Sequence, residues 1–434
     1  MIELIAIALL GLITGMALGL FSVFPIYFAG FVVYAIHSAW TPELLLVFWS
    51  TAAIGSQFFG SVSTITLGIP GEASALVYIN AIKNMSLKER NELLYHTAKG
   101  SLFAGLVALG VVWVVFKAVS EYSYMFASNT FVLGMFAIVI SLFAFTDKRP
   151  FIAIGLLVLG TFIGPVSNFG LPAWWFQIQL FFEHAGFFML IASLMLIPDV
   201  VVDKYTLSHI TNEHYEARTD RIKSWWTILK STVIGIFGGL VPGPAAETSA
   251  ALAYHAHKKK GVFHQVVGAE TANNPAVVMM LLPFFTMGVP ITASALLISN
   301  VLDVKSVDIA EFIVEGSRHV NGLAVFDVVI ATAAIATLIY FVLATHFIDT
   351  YARLVKYIYS KSSYLLTLII GVMVLIDMSV SETPTWLYVS LMAFFTAIGF
   401  LLKKMRVNPI LFIFGVMFGD KIVWSIMQFI SINF

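Results

Sequence analysis

Three glutamates, Glu72, Glu247 and Glu270, and an asparagine pair, Asn273-Asn274, stand among residues that are otherwise apolar or small. A carboxylate inside an apolar segment is costly and usually marks an ion or proton path. Desolvated acids of this kind suit a coupling proton, a coupling sodium ion or a cationic part of a substrate. Two amides in sequence supply donors and acceptors together, which fits a small cation or a carboxylate; the alternative is an N-cap at the membrane surface. Hydroxyls lie close by at Thr66, Ser74, Thr248, Ser249, Thr286 and Ser294.

These groups cluster around glycine–proline breaks, and the breaks are duplicated. Thr66–Leu76 reads T-L-G-I-P-G-E-A-S-A-L and Thr286–Leu296 reads T-M-G-V-P-I-T-A-S-A-L, with seven of eleven positions identical at an offset of 220. The same offset pairs Gly15, Gly19 and Leu20 with Gly235, Gly239 and Leu240. Proline removes a backbone donor, and glycine tolerates non-helical dihedrals. In hydrocarbon such a break survives only if it is buried in protein or lines a wet cavity. Freed N–H groups then form an anion site, and freed carbonyls can hold a cation. Matched breaks in two halves point to a transporter's binding site. Gly68, Pro70, Gly71, Gly288 and Pro290 are therefore expected to shape a substrate site through their backbone. Pro242-Gly243-Pro244 forms a further break, whose first-half counterpart near Phe24-Pro25 has lost its glycine, so the site is asymmetric.

The elements that position these groups must be membrane helices. Hydrophobic residues make up 59% of the 434-residue chain, charged residues 11%, and mean hydropathy is +0.93. A soluble domain cannot hide that much apolar surface. The formal net charge of zero gives no basis for nucleic-acid binding, and the lack of cysteine excludes disulfides and thiolate chemistry. No metal cluster is expected; His255 and His257 beside Lys258–Lys260 look like a cytoplasmic helix end. Asp327 and Asp377 are weaker candidates, expected to line a cavity or to pair with Arg318 or a serine, and the adjacent Glu183 and His184 are expected to make a packed polar contact, with a proton path as the alternative. The run from Ile2 lacks a preceding basic residue and a cleavage site, so it is expected to belong to the mature protein.

Apolar segments are expected at roughly 2–36, 43–80, 98–118, 127–146, 150–166 and 174–197, and again at 227–256, 264–300, 320–344, 363–380, 384–403 and 407–430. Residues 1–198 form repeat one, 199–226 a polar cytoplasmic linker and 227–434 repeat two. Loops 83–99, 147–149, 198–226, 257–264, 345–361 and 403–406 hold 19 of the 24 lysines and arginines. Basic loops favour the cytoplasm. Segment 227–256 then enters and leaves on one side, as a re-entrant hairpin would. Each repeat makes an odd number of crossings. The expected fold is an all-α polytopic membrane protein with two inverted repeats of about five crossings each, plus re-entrant or broken elements. Both termini are expected outside the cytoplasmic membrane; six simple helices per half would instead give a parallel repeat.

Three stretches together resemble the large membrane subunit of tripartite tricarboxylate transporters, the TctA family. They are G-S-x-x-x-I-x-x-x-I-P-G at Gly60–Gly71, G-x-x-P-G at Gly239–Gly243, and Glu270–Asn274 followed by the turn at Met287–Pro290. The tail Lys403–Gly415 is also similar to the family's last helix. The resemblance covers nearly the whole chain. It implies uptake of small carboxylates driven by an ion gradient, with a small membrane subunit and an extracytoplasmic solute-binding protein as partners. Where the family usually has threonine, this chain has Glu72 after I-P-G and Glu247 after the second-half P-G. The chain is also shorter than typical members.

The expected function is therefore secondary transport of a small organic solute, a carboxylate by resemblance, and not an enzymatic reaction. Glu72, Glu247 and Glu270 would handle the coupling ion, sodium or proton. Thr66, Gly68, Pro70, Gly71, Ser74, Gly243, Thr248, Ser249, Asn273, Asn274, Thr286, Gly288, Pro290 and Ser294 would bind substrate. The site-bearing elements would move as a rigid body, elevator-fashion, against a scaffold of later helices, and a homodimer is compatible with this. An intramembrane enzyme, or a transporter of a lipid-linked, cationic or zwitterionic substrate acting through Glu72 and Glu247, is the alternative.

Overall fold

The structure is a computed structural model. It describes residues 2–19, 40–67, 85–120, 149–163, 192–202, 224–240, 245–287, 325–347, 383–405 and 409–433, with scattered positions between them. The described elements are helical. They are α1 Ile2–Gly19, α2 Pro42–Leu67, α3 Leu87–Ser120, α4 Pro150–Ile163, a π-helical turn Ala192–Leu196 that runs into α5 Ile197–Val202, α6 Trp225–Gly239, α7 Ala245–Ala256, α8 Val262–Met287, α9 Val325–His346, α10 Thr385–Met405 and α11 Ile410–Asn433. Among the described residues, five helices (α1, α2, α3, α9 and α10) are long and apolar enough to cross a membrane. The chain is a multi-pass helical membrane protein.

The helices fall into two compact units, and each draws on both halves of the sequence. The first comprises residues 1–123 and 205–362, the second 124–204 and 363–434.

In the first unit, glycine lets helix backbones touch. A Cβ on Gly11, Gly15 or Gly19 of α1 would strike the backbone of α2 at Phe48, Ala52 and Ser56. The contacts advance together, so α1 and α2 run parallel. In the second half, a Cβ on Gly235 or Gly239 of α6 would strike the carbonyls of Ala272 and Ala276 on α8. Each of these residues lies 220 positions after its counterpart in the first seam. Helices α2 and α8, each 26 residues long, also have matching bounds at that offset.

The helices of the two halves then exchange neighbours: α3 packs on α8, and α9 packs on α2. Gly100 of α3 leaves room for Thr271 of α8. Ser61 of α2 and Tyr340 of α9 share a buried hydrogen bond of 2.6 Å. Direction is readable from the rings. Trp49, early in α2, meets Phe284, late in α8, at 5.3 Å. Phe116 stacks on Phe326 at 3.9 Å, while Gly105 lies beside Thr337. Helices α2 and α8 therefore run antiparallel, and so do α3 and α9.

The expected boundaries shift in one instructive place. Residues 87–99, expected within a basic loop, form the first turns of α3. Ser86 and Glu89 form a capping box: Ser86 N–H donates to Glu89 Oε2 at 2.8 Å and its hydroxyl does so at 2.7 Å. The reciprocal bond runs from Glu89 N–H to Ser86 Oγ. Two otherwise orphaned donors are satisfied, so the helix starts in the charged stretch. Arg90 in turn donates to the Thr66 carbonyl near the end of α2.

In the second unit, α4 packs on α11 through Gly160 and Gly415, and α10 packs on the Ala192–Val202 segment through Gly399. Buried Asp377 accepts a 2.6 Å hydrogen bond from Tyr388 of α10. Asp377 is thus bonded by a tyrosine in place of the expected serine or Arg318. Asp327, in the first unit, is likewise bonded by Trp113, whose Nε1–H donates to Oδ1 at 2.9 Å. Glu183 and His184 lie outside the described residues.

Candidate functional site

Helices α6 and α7 form a helical hairpin. Gly238 near the end of α6 receives Ser249 of α7, while Lys230 reaches the carbonyl of Ala256 near the hairpin's base. With 15 and 12 residues the arms span only about 22 and 18 Å, less than the ~30 Å hydrocarbon core. Proline and glycine occupy the connection at Pro242–Pro244, and Gly243 there lies outside the described residues.

Histidines fasten the base of the hairpin. Along one face of α6, Ser224, Thr227 and Ser231 pair with His96 Nδ1 at 2.7 Å, His264 Nδ1 at 3.0 Å and His257 Nε2 at 3.0 Å. The spacing of three and four residues puts all three hydroxyls on one stripe. The histidines come from α3, α8 and the turn after α7. Burial, reinforced by the charges of Lys230, Lys260 and His264, pulls the His257 imidazole down to about 4, so it is neutral in this contact. Lys99 lies over the Trp225 ring at 4.5 Å. Nothing in the sequence signalled His96, which meets α6 from 128 positions away.

The hairpin lies on α8, which carries the polar residues. Glu270, Thr271, Asn273 and Asn274 are all at most 1% exposed. They occupy the interior of α8, a full two turns past its start, so the alternative of an N-cap at the surface is replaced by a buried helical turn. On α7, Ser249 is fully buried and its hydroxyl has no hydrogen-bond partner among the described residues. The same holds for Thr271 Oγ1 and for both polar atoms of the Asn274 side chain. Buried polar groups are nearly always hydrogen-bonded, so an unpartnered set asks for an explanation.

The remaining expected residues fall as follows. Thr66 is buried, and its hydroxyl donates to Val62 O at 2.7 Å within α2. Thr248 is partly exposed on α7. Glu247 and Thr286 sit on α7 and α8, but their side chains lie outside the described residues. Gly68, Pro70, Gly71, Glu72, Ser74, Gly288, Pro290 and Ser294 lie outside the described residues altogether. The structure thus places Ser249 on α7, and Glu270, Asn273 and Asn274, together with Thr271, on the helix α8 against which α7 packs.

Residues 5–414 match the family described as the tripartite tricarboxylate transporter TctA family. The chain belongs to the TctA family. The match takes in every helix from α1 to the start of α11. A curated relative from Agrobacterium vitis, described as an uncharacterized 52.8 kDa protein in the TAR-I ttuC' 3' region, is 23% identical over 405 residues. The alignment covers 87% of this chain and 77% of the relative. No solved structure matches. A TctA-family chain is a component of a tripartite tricarboxylate transporter.

Proposed function

We propose that this TctA-family chain is the permease subunit of an ion-driven uptake system for a small carboxylate. A small membrane subunit and an extracytoplasmic solute-binding protein would complete the system in the cell membrane. The observation that carries this reading is the buried turn Glu270–Asn274, held against a short hairpin in a chain of a transporter family. Asn273 and Asn274 would donate to the solute carboxylate, Ser249 would add a hydroxyl, and Glu270 would carry the coupling charge. Glu72, Glu247 and the glycine–proline tips belong to the same proposal through their place in the sequence.

Two further observations support inverted repeats. Helices at matching positions of the two halves run in opposite directions, at Trp49–Phe284 for α2 and α8 and at Phe116–Phe326 for α3 and α9. The glycine seams coincide at the 220-residue offset. The first unit holds the early helices of both halves, as a single site-bearing body would require.

Reconstitution with the partner subunits tests the function. Carboxylate accumulation against its gradient, abolished by a proton or sodium ionophore, is the expected result. Chemical turnover of the solute without gradient dependence would overturn it in favour of an enzyme. Accumulation of a cationic or lipid-linked solute instead would overturn the solute class.

A further inference from the structure

We propose that the middle turn of α8, together with Ser101 of α3, forms a binding site for a dehydrated sodium ion. The proposal rests on the transport function above and names its coupling ion. It starts from Pro275, which lies inside α8. Proline has no N–H, so the carbonyl four residues earlier, on Thr271, loses its helical donor. That carbonyl stands on the same turn as the Thr271 hydroxyl, the Asn274 amide and the Glu270 carboxylate. Thr271 Oγ1 and Asn274 Oδ1 are buried and have no hydrogen-bond partner among the described residues.

Neighbouring helices close the turn on two sides. Gly100 of α3 lies directly against Thr271 Oγ1, and Gly235 of α6 lies against Ala272 and the Pro275 ring. Next to Gly100, Ser101 is fully buried, and its hydroxyl also has no partner among the described residues. The turn therefore offers neutral oxygens from Thr271 Oγ1, Thr271 O and Asn274 Oδ1, with one carboxylate adjacent, and the buried Ser101 hydroxyl stands one residue from the Gly100 contact.

This set fits a small monovalent cation. A proton requires a single acceptor and leaves the neutral oxygens unsatisfied. Calcium takes six to eight oxygens and magnesium a rigid octahedron with several waters. Freed helix carbonyls beside a broken element are a recurrent way of holding sodium in transporters. With Oδ1 turned to the ion, Asn274 Nδ2 remains free to donate to a carboxylate, which would tie ion and solute to one amide.

The test measures thermal unfolding of the purified full chain in detergent, with choline replaced by sodium, lithium or potassium at constant ionic strength. Ligand that binds only the folded state raises the midpoint saturably. Sodium should do so, potassium and choline should not. Thr271→Val removes a hydroxyl of the same shape, and Pro275→Ala restores the missing N–H without deleting a side-chain ligand. Each should raise the half-saturating sodium concentration by about tenfold, the loss of roughly one charge-assisted contact. Thr51→Val, at the matching place on α2 where the hydroxyl already donates to Val47 O at 2.7 Å, should leave the sodium response unchanged. Identical midpoints in sodium, potassium and choline would overturn the site, as would wild-type half-saturation in both variants. Uptake in proteoliposomes driven by a pH gradient and indifferent to sodium would overturn the sodium site alone. Sodium binding without any ion-driven uptake would instead overturn the transport function and leave the site standing.

Discussion

At the α1–α2 seam, Leu4, Ile7 and Ala8 meet Leu44 and Val47 in an apolar cluster completed by Val325, Val328 and Val329 of α9. At the matching positions of the α6–α8 seam stand Ser224, Thr227, Ile228, His264 and Val267. Further along, Ser50, Ala53 and Ile54 of α2 stand at the positions that match Glu270, Asn273 and Asn274 of α8. The glycine contacts at 15 and 19 recur at 235 and 239, while Gly11 is matched by Ser231. The two seams thus share a glycine approach and differ in the side chains around it. Backbone approach fixes the scaffold, and polar groups were free to concentrate in one copy. The apolar cluster of the first seam resists opening because every contact is lost to solvent or lipid at once. The hydroxyl–histidine pairs of the second can exchange partners individually, at about 1 kcal/mol per neutral bond.

The largest expected effect breaks both seams alike. Gly15→Val and Gly235→Val each drive a side chain into a carbonyl of the facing helix, at Ala52 and Ala272. Backbone cannot yield as a side-chain tip can, and overpacking of this kind costs roughly 1–3 kcal/mol or more. Both variants should lose monodisperse folded protein on size-exclusion chromatography. If only one does, the seams are not equivalent.

Glu270→Gln should separate the copies. It is expected to lower ion-driven uptake roughly 10- to 100-fold, the scale seen when a group supporting a bound ion is lost. Ser50→Ala, at the matching position of α2, should leave uptake near wild type. Asn274→Ile converts the second copy to the first copy's Ile54. It removes a buried amide without partners among the described residues, so it should stabilise the protein by about 1 kcal/mol in a thermal melt while abolishing uptake.

The smallest effect concerns acid. His257 is held at about 4 against an ordinary value of 6.5. Between those values the unfolded chain binds a proton that the folded chain refuses. Stability present above pH 6.5 is therefore lost as pH falls towards 4. The unfolding midpoint should decline from pH 7 to pH 5, and His257→Gln, which can still bond Ser231, should flatten that slope.

Much of this was legible in the sequence, for local reasons. The glycine pairs at 15 and 19 and at 235 and 239 announced the offset, because only a residue without Cβ fits such a backbone contact. The hairpin followed from basic flanks on both sides of a short proline-broken segment. Other features depended on distant partners. His96 gives no sign of its role until α6 folds beside it, and α4 finds α11 some 250 positions later. The start of α3 was hidden because a charged stretch resembles a loop unless the Ser86–Glu89 capping pair is given weight. Asn273-Asn274 read as buried amides with a surface N-cap as the alternative, because asparagine is common at helix ends, and their burial in mid-helix removes that alternative. Thr271 drew no notice, since its interest comes from Pro275 four residues on.

In both copies the stitched positions are 37 residues apart, as Gly15 is from Ala52 and Gly235 from Ala272. Closing a chain segment of that length costs little more than closing a shorter one. Each seam can therefore assemble during synthesis as soon as its own helices have entered the membrane. The Gly100–Thr271 contact, in contrast, spans more than 170 residues and must wait for the second copy. The polar turn of α8 arrives with its hairpin already attached and meets α3 as a finished surface. A chain stalled beyond Leu67 on the ribosome should already protect the backbone amides of the first seam from exchange.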